Sequence, residues 1–509
     1  MTEVASESPF ADLTRFKLAR AHIRRLEEDF CRKAQVVLLG EDLPDGGVPA
    51  PLGMLDVSDD DVVREVEGRV GRSVRRVQLN GFELDTALTF GFSTEAREEQ
   101  GSSITLDIGT GRLVLAHDRE ISFKREQSAA QLVGSLLSVA IARRASDIHI
   151  ETYATDVDVR LRIDGVLQQL ATPISHGNVR RVCSYMKVLA DMDITEQFRD
   201  QDGRISTVFR DRDGTARQVD MRVSVLPGPH GADVVLRVLD GRRIGIGLDD
   251  LGLPSAQRAA LGELIRSPGG LIIVAGPTAS GKTTTLYAAI RDINTDANKI
   301  LTVEDPIEYE VPKVNQKQVG EQMSFAAYTR AFMRQNPDVL MIGEVRDEET
   351  AEIALRAAQM GHLVFTTLHA RDVGSALNRL LVLCEDTSLL ASGLVAVLSQ
   401  RLVRRVCPAC AAEYEPAPAV LARLPGLPAG ITHVKGRGCE ACGGSGYRGQ
   451  IGVFEMLAFD DELRRGVWEG RPLETGAVPG FRPMIADACE KLAAGITTAE
   501  EILRIVPVG

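Results

Sequence analysis

The run Gly276-Pro277-Thr278-Ala279-Ser280-Gly281-Lys282-Thr283 constrains this chain more than any other feature. It fits the phosphate-loop pattern, in which glycines let the backbone curl until its N–H groups point at phosphate oxygens. It directly follows an apolar run, Leu271–Ala275, that reads as a strand, and helix formers follow it from Thr284 onward. Strand, loop and helix therefore come in the order the motif requires. The helix adds the positive end of its dipole. Lys282 is placed to reach the β- and γ-phosphates, and Thr283 to offer its hydroxyl to Mg²⁺.

A phosphate loop says nucleotide but not work, so the acids downstream carry the next step. Ile300–Val303, Val339–Ile342 and Leu363–Leu368 are short apolar runs of the kind found in strands buried on both faces. Helical segments separate them, which predicts a doubly wound α/β domain over 250–509. The strand Val339–Ile342 ends in Gly343-Glu344, so Glu344 should emerge at the C-terminal edge of the sheet, beside the phosphates. Its alternative reading is a capping acid before Asp347-Glu348-Glu349. Glu304, Asp305 and Glu308 cluster just beyond another strand, with Pro306 helping to end it. They suit metal binding or water activation, and equally suit ordinary turn acids. His362 and His369 frame the strand Leu363–Leu368 and are candidates to sense the γ-phosphate or bridge to the acids.

The chain has 509 residues, more than one core at ~100–200 residues per domain. Residues 1–45 hold a basic amphipathic helix over Leu13–Arg32, read as a solvated surface helix or a partner-docking one. Glu41–Pro51 reads as a linker, and residues 46–100 as a small unit with a helix at Asp59–Val70 and a strand at Arg75–Leu79. Over 125–240 the helix Ser128–Arg144 precedes alternating strands with an Asp164-Gly165 turn, a half-buried sheet backed by helices. A net charge of -12 argues against a dedicated nucleic-acid binder. Neither Leu132–Ala142 nor Leu380–Gln400 reads as a membrane span, and Met1–Asp12 is no signal peptide. The expected compartment is the cytosol, where the eight cysteines are reduced or metal-bound rather than paired.

Four of those cysteines form two C-x-x-C pairs, Cys407/Cys410 and Cys439/Cys442. Each pair can place two thiolates on one metal, and two pairs close a tetrahedral, structural Zn²⁺ site. The alternatives are reduced thiols or a redox pair. Residues 405–445 then form a zinc-binding insertion from which a Pro-rich loop should project. Cys31, Cys183, Cys384 and Cys489 read as buried thiols.

Over about residues 128–509 the chain resembles the type II secretion and type IV pilus assembly ATPases. The phosphate loop, Thr302–Glu308, Gly343–Asp347 and Gly361–His369 stand in that family's order and spacing, as do Ala145–Glu151 and Asp202-Gly203-Arg204. The resemblance implies a RecA-like P-loop NTPase domain preceded by an α+β, PAS-like domain and a small N-terminal domain. It implies a hexameric, ATP-hydrolysing motor at the inner membrane. The partners implied are an inner-membrane platform protein and a membrane-anchored docking protein. Among site residues it implies Glu308 as catalytic glutamate with Glu304 and Asp305 in support, Glu344 as the second glutamate, and His369, with His362 behind it. It also implies Arg204 and Arg222 as arginines of the N-terminal neighbour domain and Arg330 and Arg334 as arginines of the ATPase domain itself, in a family where arginines from an adjacent domain or subunit complete the nucleotide site. The cysteine pairs favour assembly and secretion motors over retraction motors. Two departures, Asp200 for a common proline and Gln450 for a common arginine, lie outside the phosphate logic. A nucleotide-dependent scaffold and a DNA-handling traffic ATPase are the alternatives.

Overall fold

A computed structural model of the chain describes residues 20–40, 49–79, 84, 87–88, 104–107, 112–116, 127–211, 214–241, 245–320, 322–427, 430–471 and 474–507. The chain divides into two units, 1–100 and 101–509.

In the first unit, strand β1 (Val36–Leu38) pairs antiparallel with β2 (Ala50–Met54), which runs parallel to β3 (Val74–Gln78). The crossover is the helix Asp60–Val70, capped by the Asp59 side chain, which accepts from the Val62 N–H at 3.0 Å. Val63 and Val66 face inward and its arginines and acids face water. The sequence predicts one helix over Leu13–Arg32. Residues 13–19 lie outside the described residues, and the remainder is broken into Arg20–Ile23 and Glu28–Ala34. Ile23, Leu26 and Cys31 are buried in the core of this unit rather than on a solvated stripe. The predicted linker differs too: 41–48 lie outside the described residues, while Ala50 and Pro51 already belong to β2. Residues on both sides of position 45 therefore share one sheet.

The second unit contains two large sheets. Among the described residues the first has eight strands: β4 (Ile104–Asp107), β5 (Arg112–Ala116), β6 (Ala145–Thr152), β7 (Val157–Ile163), β8 (Val166–Gln169), β9 (Gln201–Arg210), β10 (Ala216–Gly228) and β11 (Gly231–Asp240). Their spatial order is β4-β5-β9-β10-β11-β6-β7-β8, so strands before residue 125 join it. Ile148, Ile150, Val159, Leu161, Ile205, Met221, Val223 and Leu236 are buried, on the face that carries helices Ala129–Ala142 and Val179–Leu189. The residues between them form a charged opposite face, as period-two alternation dictates. Ser128 and Gln131 form a full capping box at the start of the first helix.

The second sheet has the order β14-β13-β15-β16-β12-β17-β20, with β12 (Gly270–Ala275), β13 (Ile300–Glu304), β14 (Asn315–Gln318), β15 (Val339–Ile342), β16 (Leu363–Leu368), β17 (Leu394–Val406) and β20 (Tyr447–Ala458). Every neighbouring pair is parallel except β17 with β20. Leu271 and Ile273 pack on one face with helices Glu348–Gln359 and Val373–Leu383, while Ile272 and Val274 pack on the other with Lys282–Ile293. Helices on both faces make it the doubly wound sheet predicted. All its parallel strands deliver their C-terminal ends to one edge, where crossover loops must form a cleft.

Between β17 and β20 lies the cysteine segment, with the short pair β18 (Ala411–Glu413) and β19 (Val434–Gly436). The loop expected to project instead packs down. Val420, Leu421, Leu424, Leu427 and Ile431 join the core formed by helices Met484–Ala493 and Ala499–Ile505. No helix among the described residues is long and apolar enough to cross a membrane.

Glu501 locks this corner. Thr498 accepts from the Glu501 N–H at 3.2 Å, but the carboxylate turns inward instead of completing a capping box. It accepts from the Arg404 N–H at 3.0 Å, from Arg404 Nη2 at 2.7 Å and from Arg504 Nη2 at 2.6 Å. Burial pushes its pKa up, and the two guanidiniums outweigh burial and leave it lowered. Glu501→Ala is expected to cost roughly 3–5 kcal/mol in urea unfolding followed by circular dichroism, because it strands Arg404. A lowered folded pKa means this stability is present above the ordinary glutamate range and lost as pH falls through the folded value, so the deficit should shrink in acid.

Candidate functional site

The phosphate loop leaves β12 at the cleft edge. Gly276 has φ 154°, and a Cβ there would sit 2.4 Å from Ser280 Oγ and 2.6 Å from the Gln400 carbonyl oxygen. Gly281 takes φ 89°, and Ala279 holds a left-handed φ of 59°. Lys282 Nζ donates to the carbonyls of Gly276 and Pro277, each at 2.9 Å. Burial lowers its pKa while the Glu344 carboxylate opposes the shift. Thr283 is exposed at the helix start, so its hydroxyl is open to a metal shell. Gln400, on β17, was not anticipated. Its Nε2 donates to the Ser280 carbonyl and its Oε1 accepts from Thr285 Oγ1, both at 2.8 Å, tying loop, helix and strand together. The sequence signal was a lone amide inside the apolar run that makes β17.

The acids separate into two kinds. Glu344 comes off β15 through Gly343 and faces the cleft. It is ion-paired to Arg346 and lies 3.4 Å from His369 Nε2. Arg346 also reaches Asp305 at 3.2 Å, a bridge the sequence reading missed although Arg346 stands two residues from Glu344. Burial foremost, then Lys282, pulls the His369 pKa down, against the Glu344 carboxylate, which favours its charge. Glu304 is different. It is buried and bonded to the Tyr287 hydroxyl, to Thr302 Oγ1 at 2.6 Å and to Gln316 Nε2 at 3.0 Å. It braces the strand against the helix Lys282–Ile293 and does not face the phosphates.

Glu308 lies opposite the first sheet. Arg222 on β10 crosses over to donate to the Ile307 carbonyl at 2.8 Å. Burial lowers the Arg222 pKa and Glu308 pushes it back. Arg204 is directly across from Arg222 in the ladder. The remaining expected residues stand apart. Arg330 pairs with Glu349 at 2.6 Å, and Arg334 is exposed and donates to the Arg330 carbonyl at 3.2 Å. His362 precedes β16, at the sheet edge away from the phosphate loop, and bonds the Pro337 carbonyl at 3.0 Å. A strand separates it from His369, so it has no part in the cleft.

Behind the start of the helix Lys282–Ile293 is a cavity of about 410 Å³, walled by both sheets. Thr284, Leu402, Gln450, Ile246 and Val238 are among its lining residues. Asp164, in the predicted tight turn, accepts from the Gly449 N–H at 2.7 Å and lies 3.5 Å from Arg144 Nη2, closing one side. The cavity suits a flat, largely apolar group attached to whatever the loop holds.

The four cysteines meet, with all four sulfurs within 4.8 Å of one another. Cys407–Cys439 and Cys410–Cys442 separations are 3.9 Å, and Cys439–Cys442 is 3.7 Å. Four sulfurs bound tetrahedrally at ~2.3 Å would stand ~3.8 Å apart, so the set fits Zn²⁺. Burial pushes the Cys442 thiol up, but N–H groups of Cys439 and Gly446 at 3.2 and 3.3 Å, with the Cys439 and Cys410 thiols beside them, outweigh it and bring it down, while Cys410 is pushed up. Such donors favour the thiolate a metal needs.

A family model described as Type II/IV secretion system protein matches residues 123–504. The type II secretion system protein HxcR of Pseudomonas aeruginosa is 42% identical over 381 residues, covering 74% of this chain and 76% of that protein. The type IV pilus assembly ATPase PilB of Thermus thermophilus is 41% identical over 388 residues, 74% of this chain and 43% of that longer protein. Among solved structures, the ATPase DotB of Legionella pneumophila superposes with a TM-score of 0.57 over 77% of this chain and 98% of its own, at 23% identity, a likeness of fold.

Cys442→Ser is expected to bring bound zinc from near one ion per chain to near none in metal analysis. It should also open residues 407–442 to limited proteolysis while the described phosphate loop keeps its protection.

Proposed function

The chain belongs to the type II/IV secretion system protein family, and from that premise we propose how it works. It is an ATPase that takes ATP with Mg²⁺. In our reading Lys282 and the loop N–H groups bind the β- and γ-phosphates, and Thr283 ligates Mg²⁺. The cavity beside Thr284 takes the nucleoside. Mg²⁺ supplies charge neutralisation across the phosphates. Glu344, held between Arg346 and His369, orients the attacking water or a water of the metal shell. Glu308 acts as the base on the other side, with Asp305 beside it. Glu304 enters as a support for the strand end rather than as a reacting group. Arg222 and Arg204 bring positive charge from the first sheet to where the transferring phosphoryl group gathers negative charge.

The observation that carries this reading is the convergence at one sheet edge of Lys282, Glu344 and His369, with Arg222 reaching over to the Ile307–Glu308 segment. Turnover would then loosen and remake the Arg222 contact and rock one sheet against the other. Arg330 and Arg334, turned outward, suit the site of an adjacent copy in a six-membered ring. We place that ring at the cytoplasmic face of the inner membrane, driving a platform protein that adds pilin or pseudopilin subunits. The unit 1–100 would dock on a membrane-anchored partner.

The purified protein is expected to release phosphate from ATP only with Mg²⁺. Lys282→Ala should abolish release. Glu344→Gln should lose about 10²–10³-fold in kcat while still binding a fluorescent ATP analogue. Retained turnover in Lys282→Ala would remove the assigned phosphate site, and loss of binding in Glu344→Gln would recast Glu344 as structural.

A further inference from the structure

Glu455, in the middle of β20, is a buried acid that the chemistry of the cleft leaves unused. One of its oxygens accepts from the Val373 N–H at 2.7 Å and the other from the Met484 N–H at 2.9 Å. Those are the first residues of the helices Val373–Leu383 and Met484–Ala493. With both oxygens accepting, the group is an anion set between the positive ends of two helices. Burial pushes its pKa up and Asp372 adds to this, while the two N–H groups and Arg401 work against it.

Val373 closes a short connection. β16 ends at Leu368 and the helix begins at Val373, so residues 369–372, with His369 first, are held from both sides. Upstream, the Leu368 carbonyl accepts from the Gly276 N–H at 3.1 Å, and Thr367 Oγ1 donates to the Gly343 carbonyl at 2.7 Å. The end of β16 is thereby fixed to the phosphate loop and to the residue before Glu344. Downstream, Glu455 holds Val373, and the Asp372 side chain caps the helix by accepting from the Ser375 N–H at 2.7 Å. Arg401 Nη2 donates to the Arg371 carbonyl at 3.3 Å. Arg401 and Glu455 share one face of the β17–β20 ladder, because Ser399 is opposite Glu455 and Arg401 stands two residues further on. Gln400, between them in sequence, turns to the other face and holds the phosphate loop. Neighbouring residues of one strand thus brace opposite sides of the cleft.

We propose that Glu455, backed by Arg401, is a positioning residue for His369: it fixes the start of the helix Val373–Leu383 so that residues 369–372 hold the imidazole against Glu344, at 3.4 Å. Without that anchor the helix start draws away from the sheet and carries His369 off Glu344. This role rests on the nucleotide reading of the cleft. Lys282 and the cavity hold the nucleotide without Glu455, so the effect belongs on kcat rather than on binding.

The test is a double-mutant cycle in the full chain, read by steady-state ATP hydrolysis and thermal melting. Glu455→Gln keeps the size but turns one acceptor into a donor facing an N–H. It is expected to lower kcat about tenfold with KM changed less than about threefold. His369→Ala should lower kcat by itself, and adding Glu455→Gln to it should change kcat less than about twofold, because the two act through one group. Asp487→Asn is the control. It weakens the neighbouring tie between β20 and the helix Met484–Ala493, where Asp487 accepts from the Phe454 N–H at 2.8 Å, and should lower the melting temperature with kcat kept within about twofold. Arg401→Gln, at a half-buried position, repeats the cycle if Glu455→Gln does not melt cooperatively, with a loss of about threefold that also vanishes beside His369→Ala. A full Glu455→Gln loss on top of His369→Ala would make Glu455 a structural staple and overturn the proposal. So would equal losses of kcat in Glu455→Gln and Asp487→Asn, or a normal rate in Glu455→Gln. A normal rate in His369→Ala would remove His369 from the chemistry and this role with it, whereas absence of turnover in the unmodified protein would sink the nucleotide reading itself.

Discussion

The turn between β12 and the helix Lys282–Ile293 governs everything at the cleft edge. A loop that presents N–H groups outward must turn its carbonyls somewhere else. Here Lys282 takes the carbonyls of Gly276 and Pro277, and Gln400 takes that of Ser280. The glycines make room for this. A side chain on Gly276 would collide with Ser280 and with the Gln400 backbone, so loop and β17 approach each other only because that position is bare. The strand that carries Gln400 therefore shapes the phosphate loop as much as the loop's own residues do.

Much of this was legible in the sequence because burial on both faces writes an unbroken apolar run. β12, β13, β15 and β16 lie within a residue of where those runs place them. The Asp164-Gly165 turn was equally plain, since both residues take left-handed φ. Side-chain direction was harder. Glu304, Asp305 and Glu308 look alike as a cluster, yet Thr302 and Glu304 share a face by strand parity, and that face packs on Tyr287. His362 and His369 frame one strand and so stand at opposite edges of the sheet. Counting strand residues separates each pair; proximity in sequence does not. The broken helix near Ile23–Glu28 was hidden for another reason. Its apolar residues serve the small core under β1, and tertiary packing overrode a periodic pattern.

Gln400 and Arg346 show what a motif search leaves out. Neither carries the chemistry that defines a motif, and both fix groups that do. Arg346 joins Glu344 to Asp305, so acids just after β15 and just after β13 share one cation. Burial and the nearby Lys282 both disfavour charge on the His369 imidazole, so the cleft carries its positive charge on the lysine and Arg346.

The cysteine cluster gains its meaning from the same strands. β17 passes Gln400, then Arg404, and ends one residue before Cys407; β20 begins at Tyr447, after Cys442, and passes Gly449 and Gln450. The two strands are antiparallel partners, so a metal held by Cys407, Cys410, Cys439 and Cys442 would close one end of a pair whose middle pins the phosphate loop. Gly449 binds Asp164 of the first sheet, and Gln450 lines the cavity. A chain with reduced, unligated thiols there would keep its phosphate loop but hold it on a strand pair free to fray from that end. Fraying would reach Arg404 and the Gly449 contact before it reached Gln400. Closing the cysteine end therefore protects the contact between the sheets first and the phosphate loop second, which is why a structural metal can sit outside the cleft and still bear on the chemistry inside it.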